Sequence, residues 1–453
     1  MLKKDVIWGY LSQFLQYSSA LLVLPVLLRA LSSFELGIWY VFMAISALIM
    51  MLDMGLSPTL ARNISYIMSG AKQLLPNGHS ILDKLSVGVI DYQLLTSVVQ
   101  TSRKIFFILA SLGFLLLATF GTYFIFFLTP HGGDRQIIFS AWGIFAVSTV
   151  INLYFKYYTP LLQGQGLFAK FYKASSVANL SFIIVTALLV TFDFGLIGVS
   201  LGFLSSTIVS RILSWHYLRK EGFFLLLQIE GAEKYKRYEI FNVLWHNAWR
   251  LGVGVICAFL IQRASILLSS VYLGLVTTAA YAMTLQVFSA ILSVASVAFN
   301  IHQPQLARLK IAGEQKNMQK LILKSSVSIL SVYVFGALVV VFFGNDIISE
   351  IGSKTELLPV ALLIWVAIML MLELIHSTAA TIITIGNQVP FVGSSIVSGI
   401  AVLLISLLGL HYGNLDIYWL IGVQFTVQLL YNNWKWPYVV YVDIFSNKQR
   451  VAC

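Results

Sequence analysis

The chain has 453 residues, of which 58% are hydrophobic and only 10% charged, and its mean hydropathy is +0.86. A soluble globule needs more polar surface than this, so the composition makes lipid the solvent. The net charge of +11 gathers at the ends of apolar runs, which suits membrane orientation and attraction to anionic lipid rather than a nucleic-acid partner.

Lys3 and Lys4 precede an apolar segment from Val6 to Leu28. It exceeds a signal-peptide core and lacks a small-x-small cleavage site, which predicts a retained first span. Apolar stretches long enough to cross a bilayer as helices follow at about 37–58, 105–128, 137–160, 173–192 and 196–217, the first lying at about 7–29. The second half repeats the count at about 250–271, 276–299, 322–343, 358–383, 391–410 and 416–434. The predicted fold is therefore all-α, a polytopic membrane protein of about twelve transmembrane helices in two six-helix lobes. An even count places both termini on one side. Arg62, Lys72, Arg103, Lys104, Lys170, Lys173, Arg219, Lys220, Arg308, Lys310 and Lys448 fall in alternate loops, whereas the opposite loops hold little beyond Arg135 and Lys354. Positive residues are retained on the cytoplasmic side, so both termini are expected there.

The predicted organisation is an N-terminal lobe over 1–218, a cytoplasmic amphipathic linker over 219–249 and a C-terminal lobe over 250–453. In the linker Tyr238, Phe241, Trp245 and Trp249 recur at helical spacing beside Arg237 and Arg250. They describe either a helix lying on the membrane surface or the start of the seventh span. Cys257 and Cys453, the only cysteines, support neither a disulfide framework nor a metal cluster. The loops on the side opposite the basic residues are short, so no extracytoplasmic domain is expected, and there is no HExxH, carboxylate pair or phosphate-cradling Gly-rich loop. The chain reads as no enzyme.

Pro58-Thr59-Leu60-Ala61-Arg62 and Pro304-Gln305-Leu306-Ala307-Arg308 share the pattern P-x-L-A-R at the ends of the second and eighth spans. Leu196-Ile197-Gly198-Val199 echoes Leu420-Ile421-Gly422-Val423, and Gly164 echoes Gly386. An offset of six spans, an even number, makes the halves parallel repeats about an axis along the membrane normal. That arrangement suits a carrier working by alternating access.

Leu24-Pro25-Val26-Leu27-Leu28-Arg29, Glu35-Leu36-Gly37, Leu52-Asp53-Met54-Gly55 and the Gln163-Gly164-Gln165-Gly166 turn resemble polysaccharide flippases of the Wzx type. Their superfamily, MOP, also holds the multidrug MATE exporters and lipid II flippases. The resemblance extends over the whole chain. It implies a bacterial inner-membrane flippase carrying undecaprenyl-pyrophosphate-linked oligosaccharide for O-antigen or capsule assembly, with other polysaccharide assembly proteins as partners and no cofactor. The alternatives are a MATE-type ion-coupled drug exporter and a membrane glycan polymerase. The sequence departs from many relatives in placing Arg263 after Gln262, where an acid is expected.

Intramembrane charges are costly and mark function. Arg263 is expected either to meet an anionic substrate group or to pair with an acid such as Glu373. Lys156 and Asn152 share a helical face from which a pyrophosphate could be met, and Arg29 either joins them in binding substrate or snorkels into headgroups. Glu373 and His376, three residues apart, form a titratable pair suited to coupling by H+ or Na+, or else an interhelical lock. Asp53 and Arg62 fit structural contacts or a gate. Gln13, Gln16, Asn179, Gln262 and Gln286 offer amides for sugar hydroxyls or for holding helices together.

Overall fold

The computed structural model describes residues 23–75, 90–129, 134–227, 237–300, 302–385, 390–413 and 415–445. These residues contain ten helical stretches long and apolar enough to cross a bilayer, and no strand occurs among them. The predicted first span is described only over its helical end, residues 23–30. The predicted twelfth is divided into Ile417–Leu430 and Asn432–Phe445, each of 14 residues. Side chains such as Phe114, Phe120, Phe127, Phe335 and Phe342 stand exposed along the stretches, as a lipid-facing surface requires.

The chain packs as two compact units, one of Met1–Ala30 with Phe42–Ile256 and the other of Leu31–Val41 with Cys257–Cys453. Helix α1 (Ser33–Met50) contributes residues to both. In the first unit it is followed by α2 (Leu56–Met68), α3 (Tyr92–Leu128, with a π turn at Leu117–Gly121), α4 (Asp134–Tyr154), α5 (Tyr158–Gly164), α6 (Phe168–Thr191) and α7 (Gly195–Lys220). Then comes α8 (Arg237–Gln262), again shared by both units. The second unit continues with α9 (Ala264–Tyr272), α10 (Leu275–Asn300), α11 (Gln303–Ile311), α12 (Gln315–Ile351), α13 (Val360–Thr384), α14 (Val392–Tyr412), α15 (Ile417–Leu430) and α16 (Asn432–Phe445).

The core of the first unit forms where Leu56, Leu60 and Ile64 of α2, spaced four apart, meet Leu94, Leu95 and Val98 of α3, Leu161 and Leu162 of α5, and Leu244 and Ala248 of α8. The spacing puts one stripe of α2 inward. The approach of α5 to α2 is close enough that a Cβ on Gly164 would lie 2.6 Å from the Ile64 Cβ and 2.8 Å from the Ala61 carbonyl oxygen. Helices α6 and α7 are joined by small residues. Gly202 faces Thr186 directly, the Ser181 and Ser205 hydroxyls hydrogen-bond, and Gly198 with Gly202 forms the small-xxx-small spacing that brings helices together in lipid. In the second unit Gly37 of α1 lies against the backbone of Leu275, and the Ser33 hydroxyl donates to the Lys354 carbonyl at 2.6 Å.

The internal repeat survives as structure. Each P-x-L-A-R opens a short helix, α2 or α11, after a break in the preceding span, rather than closing that span as the sequence suggests. In both copies the Leu is buried, the Ala half-buried and the Arg exposed. The third membrane stretch of each half, α3 and α12, runs 37 residues, about 55 Å at 1.5 Å per residue and so longer than the hydrocarbon core. The aromatic residues Tyr238, Trp245 and Trp249 belong to α8, one helix running through Gln262. Gly386, the predicted echo of Gly164, lies outside the described residues.

Candidate functional site

Helix breaks position the charged residues. After α1 the chain makes a 3-10 turn at Met51–Asp53 and then takes the left-handed region at Met54 (φ 46°) and Gly55 (φ 72°). A Cβ on Gly55 would lie 2.5 Å from the Leu251 Cβ, so glycine meets both the backbone and the space requirement there. The turn brings the Asp53 carboxylate to the start of α2, where it accepts from the Ser57 amide at 3.2 Å and the Ser57 hydroxyl at 3.1 Å. A carboxylate at a helix N-terminus is favourably placed. A second 3-10 turn, Phe155–Tyr157, interrupts the fourth span and carries Lys156, whose Nζ lies 2.9 Å from Asp53. Side-chain exposures of 9% for Asp53 and 28% for Lys156 make this a largely enclosed pair.

One turn earlier, Asn152 does not join Lys156 in presenting a free face. Its Oδ1 accepts from Arg211 of α7, whose Nη1 also donates to the Phe155 carbonyl at 3.3 Å and the Thr159 hydroxyl at 3.4 Å. The 3-10 turn supplies these acceptors because it departs from the regular helical ladder. Arg211 Nε is buried without an acceptor. Sequence reasoning overlooked this residue, although an arginine nine positions inside the end of an apolar span was signal enough. On the outer side of the same group, Arg103 Nε lies 3.5 Å from the Tyr154 hydroxyl.

In the second unit, Arg263 stands between α8 and α9 in a non-helical conformation (φ −123°, ψ −27°). Both it and Gln262 are exposed. No hydrogen bond or ion pair engages the Arg263 side chain among the described residues, so no Arg263–Glu373 bridge forms. On α1, the Tyr40 hydroxyl is buried without a hydrogen-bond partner among the described residues.

Glu373 and His376 share a face of α13. Glu373 is half-buried and has no ion-pair or hydrogen-bond partner among the described residues, whereas His376 Nδ1 donates to the Asn432 carbonyl at 3.0 Å. Asn432 follows the break at Tyr431 and anchors a buried polar network. Its Nδ2 donates to Ser398 and to Gln428, each at 2.9 Å, and its Oδ1 accepts from Trp436 at 3.2 Å. Gln424 Oε1 and Asn433 Oδ1, both buried nearby in sequence, have no partner.

Arg62 is exposed at the second turn of α2, and Arg29 is exposed at the end of the first helical segment. Gln13 and Gln16 lie outside the described residues. Asn179 Nδ2 is buried and unpartnered in α6. Among the described residues no group of three His, Cys, Asp or Glu side chains could hold a metal ion.

No family model matches the chain, and no curated protein matches it. Solved structures do. The chain is similar to a multidrug resistance MATE family transporter of the MOP superfamily in its inward-facing conformation, with TM-score 0.66, 12% identity, and 99% of this chain and 100% of that chain covered. It is similar to the MATE multidrug transporter DinF-BH, with TM-score 0.66, 11% identity, and 99% and 97% covered. An outward-facing MATE family transporter gives TM-score 0.56 at 13% identity, with 98% and 97% covered. The chain is a multi-pass membrane protein with the fold of the MATE transporters, twelve helices in two lobes.

Proposed function

We propose that this chain is a carrier of the bacterial inner membrane that flips an anionic, undecaprenyl-pyrophosphate-linked oligosaccharide to the outer leaflet by alternating access, with both termini cytoplasmic. The observation that carries this reading is the sign of the uncompensated charge within the spans. Asp53 is matched by Lys156, while Arg211 and Arg263 have no carboxylate partner among the described residues. The unmatched Arg263 guanidinium favours a phosphate-bearing cargo. Arg263 contacts the anionic group, Gln262 and Asn179 offer amides to sugar hydroxyls, and the Asp53–Lys156 pair gates one side. Glu373 with His376 takes the coupling proton or sodium ion. The partners are the bilayer, the lipid-linked glycan and other polysaccharide assembly proteins.

Glu373 also favours a second reading, because an unpaired intramembrane carboxylate suits export of a cationic drug, and the solved relatives named above are multidrug transporters. Deleting the protein in its host separates the two. Loss of surface glycan with the lipid-linked unit held in the inner leaflet supports the flippase. Normal glycan with raised sensitivity to cationic drugs overturns it in favour of the exporter.

A further inference from the structure

The first unit contains a cavity of about 310 Å³ against Arg211, walled by Ile151, Phe155, Tyr158, Ile208, Ile212 and Trp215. Its walls are almost wholly apolar, yet one of its lining groups carries a permanent positive charge. The protein answers that charge with three neutral acceptors, Asn152 Oδ1, the Phe155 carbonyl and the Thr159 hydroxyl, two of them at 3.3 and 3.4 Å. Nε remains without an acceptor. A guanidinium has five N–H donors and holds its charge at any physiological pH, so its shell here is incomplete both in hydrogen bonds and in charge.

The outer wall says what completes it. Ile208 and Ile212, four residues apart on α7, are 40% and 57% exposed, and Trp215 one turn further is 39% exposed. Trp215 and the Arg219 guanidinium 5.2 Å from its ring are the residue types that sit at the level of lipid headgroups. Arg211 lies nine residues inside the Lys220 end of α7, about 13 Å along the axis, below the headgroups but within reach of a phosphate drawn slightly inward. An occupant must therefore present an anion to Arg211 and hydrocarbon to Ile208 and Ile212.

We propose that this cavity binds the phosphate of an anionic membrane lipid, with the head at Arg211 and an acyl chain along Ile208 and Ile212. The site takes lipid of the surrounding bilayer and does not depend on which cargo the protein carries. Charge complementarity selects the headgroup and the apolar mouth selects a tailed ligand over a free ion.

The test is native mass spectrometry of the purified full chain in dodecyl maltoside with added phosphatidylglycerol or phosphatidylcholine, and with inorganic phosphate as competitor. Wild-type protein is expected to prefer phosphatidylglycerol by about tenfold, and Arg211→Gln to reduce that preference about fivefold or more, as loss of one lipid-facing basic group predicts. Arg211→Lys retains part of it. Ile212→Trp, on an exposed position, fills the mouth and lowers phosphatidylglycerol binding with the guanidinium intact, so the proposal is still judged if Arg211→Gln does not fold. A purely structural Arg211 would leave headgroup preference in Ile212→Trp unchanged. Equal headgroup preference in wild type and Ile212→Trp, or displacement of the lipid by millimolar inorganic phosphate, overturns the proposal.

Discussion

The two units hold their intramembrane carboxylates, Asp53 and Glu373, in opposite ways. In the first, Asp53 and Lys156 come from separate helix breaks and satisfy one another, with Ser57 completing the carboxylate. In the second, Arg263 and Glu373 stand without partners among the described residues, and His376 is fixed by a carbonyl. A matched, enclosed pair is expensive to break, because either partner alone becomes a buried charge. An unmatched, accessible charge contributes little to folding and is available to bind. The contrast predicts that substitutions at the Asp53–Lys156 pair lower stability as well as disturbing the gate, and that those at Arg263 and Glu373 act on transport alone.

The largest stability loss is expected at Asp53. Asp53→Ala strands Lys156 and removes the acceptor at the start of α2, costing about 3 kcal/mol, somewhat below a fully buried pair because Lys156 is partly exposed. Thermal unfolding in detergent reads it. The reversed pair Asp53→Lys with Lys156→Asp recovers less than half, since a lysine cannot accept from Ser57. If Asp53→Ala unfolds with the wild-type midpoint, the pair is not structural and the contrast fails.

Gly164→Ala comes next. The added Cβ would meet Ile64 at 2.6 Å and the Ala61 carbonyl oxygen at 2.8 Å, forcing α5 away from α2 at a cost of about 2 kcal/mol. The same melting assay checks it, and Gly143→Ala, whose Cβ meets nothing within 4 Å, is the helical-glycine control. A neutral Gly164→Ala would mean that the α2–α5 contact is loose.

Arg263→Ala reverses the pattern. The side chain is exposed and unpaired, so the folded protein is expected to change by no more than about 0.5 kcal/mol. Transport is expected to be lost, measured as surface glycan at matched protein level. Normal glycan refutes a binding role for Arg263.

The sequence made the architecture readable and left the site half hidden, for identifiable reasons. Apolar length reported the spans, and the two P-x-L-A-R copies reported a repeat whose Leu, Ala and Arg are buried, half-buried and exposed alike in both halves. The breaks were not readable. Leu52-Asp53-Met54-Gly55 continues an apolar run with one acid in it, and nothing in Met54 announces φ of 46°. The pairing of Asp53 with Lys156 follows from two such breaks, so each residue could be singled out while their contact could not. Arg211 was hidden by averaging, since the window of span six remains hydrophobic with it included. The Asn432 network escaped because its break at Tyr431 falls where sequence hydropathy reads one span.

The smallest change in stability, and the sharpest test of the contrast, is expected at Glu373. Glu373→Gln keeps the side-chain volume and removes only a charge that no described residue balances, so its melting midpoint should match wild type to within about 0.5 kcal/mol. On the proposed coupling role, Glu373 acts together with His376, which the Asn432 carbonyl orients, and removing the carboxylate leaves one of the two. In proteoliposomes, Glu373→Gln is therefore expected to exchange cargo across the membrane when no gradient is imposed, but to lose accumulation driven by a proton or sodium gradient. Retained gradient-driven accumulation would place the coupling elsewhere. Loss of exchange as well would make Glu373 part of the cargo site, and would bring the second unit's unpaired charges into a single binding function with Arg263.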